Sequence, residues 1–282
     1  MIERRTFRAM GTEIELLVEA EGADDALAAA ESEFHRLEAL LSRFRDDSEL
    51  SQLNRDGSID AGPDLLRVVE LALAARERTG GRFDPTVHDA VAAAGYNRTF
   101  TAMLPDGPAA GTPVPGGGAV RVDGTRIELD RGVRIDLGGI GKGYAAERAA
   151  EPLATAGPCL VNAGGDIATR GGSWPVGVTT GDGTLTLELS GSALATSGRD
   201  RRVWRRGGRE LHHLIDPVTG DASASDVMLI TVIAADAVDA EVLATSLFLA
   251  GMNSAAAAAD AAGVPVVLVG EDGRTLLAGG LA

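Results

Sequence analysis

The stretch from Ile135 to Glu147 reads IDLGGIGKGYAAE. A strand-like run carries Asp136, a glycine-rich turn holds Lys142, and a helix then begins. Glycines let a ligand approach the backbone closely, a helix N-terminus favours negative charge, and a lysine adds a mobile cation. Together these are the parts of a phosphate-binding corner. The stretch is not a Walker loop, which needs GxxxxGK followed by Ser or Thr. Here Gly143 follows Lys142, and Asp136 stands where the first glycine should be. Gly141, Gly143 and Ala146 nominally meet the dinucleotide pattern GxGxxG/A, but the next strand, CLVNAGGD, offers Asn162 first and Asp166 only after a turn. That makes a Rossmann reading weak. A glycine-rich corner with an exposed lysine is the plain structural alternative.

Two further sets of residues have the chemistry to act on a phosphate. Glu241 and Thr245 lie four apart in a helical pattern that follows Asp236, hence on one face. A carboxylate and a hydroxyl are hard oxygen ligands suited to Mg²⁺ or Ca²⁺, although a solvated helix face presents the same pair. Proton transfer falls to the histidines, His35, His88, His212 and His213. His35 sits in an amphipathic helix and is expected to face solvent, and His88 follows FDPTV. His212 and His213 are adjacent on a strand and so face opposite sides. His213 stands just ahead of the turn DPVTG, where a histidine bonding the turn backbone is the plain structural reading.

These residues need elements to position them. RTFRAMGTEIELLVE suggests two strands joined at Met10-Gly11. From Ala23 to Phe44 the apolar positions Leu27, Ala30, Phe34, Leu37, Leu41 and Phe44 step by three and four, which predicts a helix. RDDSELSQLNRDG reads as a polar connection, and Pro63 opens a second helix closed by Gly80-Gly81. Residues 101–118 are dense in Pro and Gly and read as a surface excursion. Strands are expected at AVRVD, TRIELD, VRIDL, CLVNAGG, WPVGVTT, TLTLELS and RELHHLID, interrupted by helices over 143–155 and 236–250. An alanine-rich helix and VPVVLVG close the chain. Strands with interspersed helices predict an α+β fold, taken as a single domain over 1–282.

Composition narrows the partners. Net charge is −15 over 282 residues, which argues against a broad nucleic-acid footprint or an anionic membrane surface. An anionic substrate would need local help from a lysine, a helix N-terminus or a cation. Cys159 is the single cysteine, so no intrachain disulfide forms, and its apolar setting predicts a buried core residue. MIERRTFRAM lacks the apolar core of a signal peptide, and no run of about 18 apolar residues occurs. As written, the chain is expected to be cytoplasmic. A chain trimmed of its leader would look the same and would work outside the cytoplasmic membrane.

AMGT, SRFRDDSELSQLN, GRFDPTV, DLGGIGKGYA, NAGGD, ATSG, HLIDPVTG and AEVLATSLFLAG occur in this order from about Thr6 to Gly251. In that order they resemble the ApbE family, the FAD:protein FMN transferases. The resemblance implies a T-fold-like α+β architecture of mixed sheets, with the flavin site in a cleft between subdomains. It also implies Mg²⁺-dependent transfer of the FMN half of FAD to a Ser or Thr hydroxyl of an acceptor protein, with release of AMP. An FAD pyrophosphatase or a non-catalytic FAD-binding protein of the same fold is the alternative. Carried over residue by residue, the resemblance makes Glu241, Thr245 and the Gly139 carbonyl the metal ligands and His213 the base. Met10, Phe44, Arg82, Phe83, Asp84, Asp136, Lys142 and Ile215 become FAD contacts. The chain departs from the pattern at Glu241, where the family usually has Asp, and at Phe44, where it often has Tyr. One added methylene changes the carboxylate's reach, and Mg²⁺ tolerates little deviation from bonds of about 2.0–2.1 Å. Ca²⁺ is therefore kept as an alternative metal.

Overall fold

A computed structural model describes residues 1–281. The N-terminal pair is β1 (Ile2–Ala9) and β2 (Thr12–Glu19). Met10 and Gly11 join them with φ of 51° and 72°, a two-residue turn whose twist matches that of the strands. α1 (Asp24–Leu41) buries Leu27, Ala30, Phe34, Leu37 and Leu41, the stepped face expected from the sequence, while Phe44 lies beyond its end. The polar stretch after it is a helix rather than a connection. Ser48 caps α2 (Glu49–Asp56) by accepting from the Ser51 amide, and Leu50 and Leu53 are buried. A serine cap ahead of two leucines spaced by three was the signal, diluted by six charged neighbours between Arg45 and Asp56. Next come β3 (Ser58–Asp60), α3 (Pro63–Arg78) with its expected proline start, and α4 (His88–Ala93).

Residues 103–118 form no regular element, and β4 (Val120–Asp123) and β5 (Arg126–Leu129) follow them. Val133–Leu137, expected as a strand, pairs with no strand. Local bonds replace the ladder: Asn54 of α2 donates to the Ile135 carbonyl and accepts from the Ile135 amide, both at 2.8 Å, and the Asp136 amide donates to the Pro85 carbonyl at 2.7 Å. α5 (Gly141–Ala154) then leads into β6 (Cys159–Ala163), β7 (Asp166–Arg170), β8 (Trp174–Thr179), β9 (Thr184–Leu189) and β10 (Ala193–Gly198). Short strands β11 (Val203–Arg206), β12 (Arg209–His212), β13 (Ile215–Asp216) and β14 (Asp221–Ala222) precede β15 (Val227–Ala234). α6 (Ala237–Ala250), α7 (Met252–Ala262), β16 (Val266–Gly270) and β17 (Thr275–Ala278) complete the chain. The α+β reading holds.

The chain divides into two compact units, each assembled from separated segments. The first takes Met1–Arg36, Ile140–Gly198 and the chain from Ser225 onward. Its eight-stranded sheet runs β1-β2-β6-β7-β10-β15-β16-β17, antiparallel at every pairing. α5 packs on β6 and β7, α6 packs on β10 and β15, and the two helices touch each other. β8 of the β8-β9 hairpin alternates buried and exposed residues and adds Trp174, Val176 and Val178 to a core with Leu160, Ile167 and Leu194. Cys159 is fully buried against α5, its Sγ 3.7 Å from the Ala150 carbonyl oxygen, and burial pushes its thiol up to about 11, so it acts as a small apolar residue.

The second unit takes Leu37–Gly139 and Arg199–Ala224. It holds the sheet β3-β5-β4 and the pairs β11-β12 and β13-β14. Its core packs Ala90, Val91 and Ala94 against Trp204, Leu211 and Ile215. Among the described residues, no helix is long and apolar enough to cross a membrane.

Candidate active site

The glycine loop runs directly into α5, and Lys142 is the second residue of that helix. Gly143 lets the N-terminal turns of α5 and α6 meet: a Cβ placed on it would lie 2.4 Å from the Ala237 carbonyl oxygen. Its amide donates to Glu241 Oε2 at 2.8 Å. Two carboxylates brace the same contact. Asp236 caps α6 by accepting from the Asp239 amide, and Glu147 of α5 accepts from the Ala237 amide at 2.7 Å while pairing with Arg170. The start of α6 is thereby fixed against α5, and with it the position of Glu241.

Lys142 Nζ is held by two carboxylates. It pairs with Glu241 Oε1 and lies 2.7 Å from Asp166 Oδ2, on side chains only 4% exposed in both cases. Asp166, the last residue of NAGGD, begins β7 just past Gly164 and Gly165. Gly164 itself is packed so closely on Thr12 of the AMGT stretch that a Cβ would meet Thr12 Oγ1 at 2.1 Å. Asp166 was not singled out from the sequence as a site residue, since its link to Lys142 spans 24 residues and needs the β6-β7 turn to make it. Thr245, one turn after Glu241, sits with Oγ1 3.4 Å from Ser197 Oγ of the ATSG stretch.

This set fits a divalent cation. Two buried carboxylates already converge on one positive charge, and a hydroxyl stands one turn away, all hard oxygen donors. Among the described residues no three His, Cys, Asp or Glu side chains gather as a metal cluster, so a cation here would draw on hydroxyl or carbonyl oxygen as well. Burial pushes Glu241 up to about 7. Lys142 and the Gly143 amide pull it down, and the neighbouring Asp166 charge pushes it further up.

The other sequence-predicted residues are placed as follows. Met10 is the only non-glycine residue with positive φ among those described, a strained position for a side chain and one typical of functional turns. Phe44 packs on Tyr96 with ring centroids 5.6 Å apart, and the Arg43 guanidinium lies over both rings. Arg43 also bonds Asp136 at 2.8 Å, and the same carboxylate accepts from the Gly138 amide. Arg43 was not anticipated: its partner is 93 residues away and no local pattern marks it. Arg82 is exposed, and Phe83 is buried. Asp84 is saturated within its own unit, accepting from the Thr86 amide and hydroxyl and the Gly117 amide and pairing with Arg76. Ile215 is 5% exposed in the core around Trp204.

The histidines separate by environment. His35 is exposed, as expected, and His88 bonds Asp89. His212 is buried, with Nε2 bonded to the Ser223 carbonyl and Nδ1 accepting from the Leu214 amide, which fixes a neutral tautomer. Burial lowers its pKa, the Ser223 bond opposes that, Arg199 adds to it, and Glu210 and Asp221 oppose it. A lowered value means that its stabilising contribution is whole above about 6.5 and is lost as pH falls through the folded value. Urea midpoints measured from pH 7 to pH 5 are expected to fall further for the wild type than for His212→Asn. Equal losses would contradict this assignment. His213, one residue later, is half-buried and lies between β12 and β13.

Comparison with known proteins places the chain in a family. The model of the ApbE family matches residues 10–268. The FAD:protein FMN transferase of Treponema pallidum is 30% identical over 303 residues, covering 92% of this chain and 82% of that protein. Its counterpart in Salmonella typhimurium is 26% identical over 83% of this chain and 74% of that protein. Among solved structures, the ApbE protein of Thermotoga maritima superposes with a TM-score of 0.87 at 24% identity, covering 99% of this chain and 97% of that one. The flavin transferase ApbE of Vibrio cholerae superposes at 0.80 and 22% identity, with the same coverage. The order of the motifs, the fold and the family match agree: the chain belongs to the ApbE family.

Proposed function

We propose that this chain is an FAD:protein FMN transferase that moves the FMN half of FAD onto a Ser or Thr hydroxyl of an acceptor protein. The observation that carries the proposal is the buried Lys142–Asp166–Glu241 arrangement at the N-terminal turn of α5, a charged corner built where a diphosphate can be met. Lys142 and the helix N-terminus offset the diphosphate charge. A divalent cation, Mg²⁺ with Ca²⁺ as the alternative, would be held by Glu241, Thr245 and the Gly139 carbonyl, and it supplies charge neutralisation to the diphosphate. Met10, Phe44 and Asp136 contact the flavin. By the family resemblance, Arg82, Phe83, Asp84 and Ile215 are further FAD contacts.

In the transfer, the acceptor oxygen forms a bond to the FMN phosphorus and gives its proton to His213. The anhydride P–O bond breaks and AMP leaves with the bridging oxygen. This chemistry is mostly positioning and charge stabilisation, which suits the rigid α5-α6 contact.

The test incubates the protein with FAD, Mg²⁺ and an acceptor domain carrying a Ser/Thr flavinylation motif, following AMP release and covalent flavin on a denaturing gel. AMP without labelled acceptor, where a known transferase labels the same acceptor, identifies an FAD pyrophosphatase. FAD binding with neither product identifies a binding protein. His213→Ala is expected to slow transfer by about 10²–10⁴-fold, the usual contribution of a general base, and an undiminished rate removes it from that role.

A further inference from the structure

Lys142 is the only lysine of the chain; the other 25 of its 26 cationic Lys and Arg side chains are arginines. A composition so committed to arginine points to a property that the guanidinium lacks. An ammonium is a compact point charge on a flexible four-carbon stem, and its donors rotate freely, whereas arginine holds its partners in a rigid fork. Lys142 is also placed against its helix, since a cation in the first turn of α5 opposes the helix dipole and is held there by carboxylates. Those carboxyl groups outnumber it: two nearly buried acidic side chains face one monovalent cation.

We propose that Lys142 is an exchangeable counter-cation, and that it and a divalent cation are mutually exclusive partners of Glu241. Glu241 Oε2 is occupied by the Gly143 amide, so Oε1, where the ammonium sits, is the oxygen a metal would contest. An ammonium and a divalent cation on the same oxygen would repel each other within a few ångströms in a nearly dry setting. The backbone has no need to move in the exchange, because Gly143 and Glu147 pin α5 against α6 while the lysine stem swings alone. Cation binding thus releases Lys142 from Glu241 and makes it available to the diphosphate. Metal and FAD then bind cooperatively, each raising the other's affinity by the same factor. The extra methylene of Glu241, relative to aspartate, carries its carboxylate far enough from α6 to reach both Lys142 and Gly143. This inference rests on the proposed function for the identity of the diphosphate, but its test needs no transfer.

A single lysine gives a single side-chain signal. The full-length protein labelled with [¹³Cε]lysine is titrated with Mg²⁺ in the absence of acceptor. The one Cε resonance is expected to shift saturably and to narrow as the side chain becomes mobile; a resonance unmoved by saturating Mg²⁺ overturns the exchange. In parallel, free Mn²⁺ is measured by electron paramagnetic resonance with and without FAD. Wild-type protein is expected to bind Mn²⁺ about tenfold more tightly with FAD present, within the usual range of such couplings. Lys142→Met is expected to bind Mn²⁺ about tenfold more tightly than wild type without FAD and to show a smaller FAD effect, the direct cation–diphosphate attraction alone remaining. Unchanged Mn²⁺ affinity or an unchanged FAD effect in this variant overturns the proposal. Should Lys142→Met fail to fold, Glu241→Asp serves instead: its shorter carboxylate withdraws from Lys142, so the FAD effect is expected to shrink, and an undiminished one is equally fatal. A protein with the predicted coupling that transfers no FMN overturns the proposed function and leaves this inference standing.

Discussion

Gly143→Ala is expected to be among the most damaging single-methyl additions in the protein. The new Cβ would meet the Ala237 carbonyl oxygen at 2.4 Å, so α5 and α6 must part by about 1 Å to reach ordinary contact. Overpacking of this kind costs about 1–3 kcal/mol of stability. The larger effect falls on function, because the same movement pulls the Gly143 amide off Glu241 and unsettles the Glu147 bond that holds the start of α6. A displacement near 1 Å at a positioned site lowers rate by about 10²-fold. Thermal unfolding and FMN-transfer assays on the purified variant check both numbers. Gly141→Ala is the stability control, since nothing lies within 4 Å of a Cβ there, and its unfolding midpoint is expected to match the wild type closely. Equal midpoints for the two variants would show that the α5-α6 approach is looser than the structure has it.

Glu241→Ala removes the centre of the charged corner. It leaves Lys142 with Asp166 alone, strips the Gly143 amide of its acceptor and opens a gap in a side chain only 4% exposed. Breaking a buried ion pair by deleting one partner costs about 3 kcal/mol. Transfer is expected to fall by at least about 100-fold, the scale on which metal sites respond to the loss of supporting residues, and the Mg²⁺ requirement to move to higher concentration. The readouts are initial rates of acceptor labelling across a Mg²⁺ series, with urea unfolding alongside. An unchanged rate with unchanged metal dependence would take Glu241 out of the site altogether.

The two assignments differ in how far the sequence could support them. Helix α1, the Met10-Gly11 turn and the helices carrying Lys142 and Glu241 were legible because period, turn chemistry and glycine placement agree locally. α2 was not, because its two buried leucines are outvoted by charged neighbours. Val133–Leu137 has the composition of a strand but finds Asn54 in place of a neighbouring strand, and no local pattern announces such a partner. At the site, motif order pointed to Glu241, Thr245 and Lys142, and the fold joins Glu241 and Lys142 in one ion pair. The pairing of Lys142 with Glu241 and Asp166 came only with the fold, as did Arg43 against Asp136. Asp84, chosen as a ligand contact, is bonded to the Gly117 amide, Thr86 and Arg76, partners that only the fold brings to it.

The strand order of the large sheet also bears on how a ribosome delivers this protein. β10 is central to the sheet, yet its neighbour β15 begins 29 residues after it ends, and β16 and β17 come later still. At about 5–20 residues per second, a nascent chain therefore carries an unpaired β10 edge for roughly one to seven seconds before β15 can cover it. That edge carries Leu194 and Ala195, both nearly fully buried once folded. Long-range pairing of this kind slows folding and leaves strand edges open to other chains. Early translational stalling past β10 would release a fragment prone to self-association. The last strands to emerge thus cover the edge that β10 exposes.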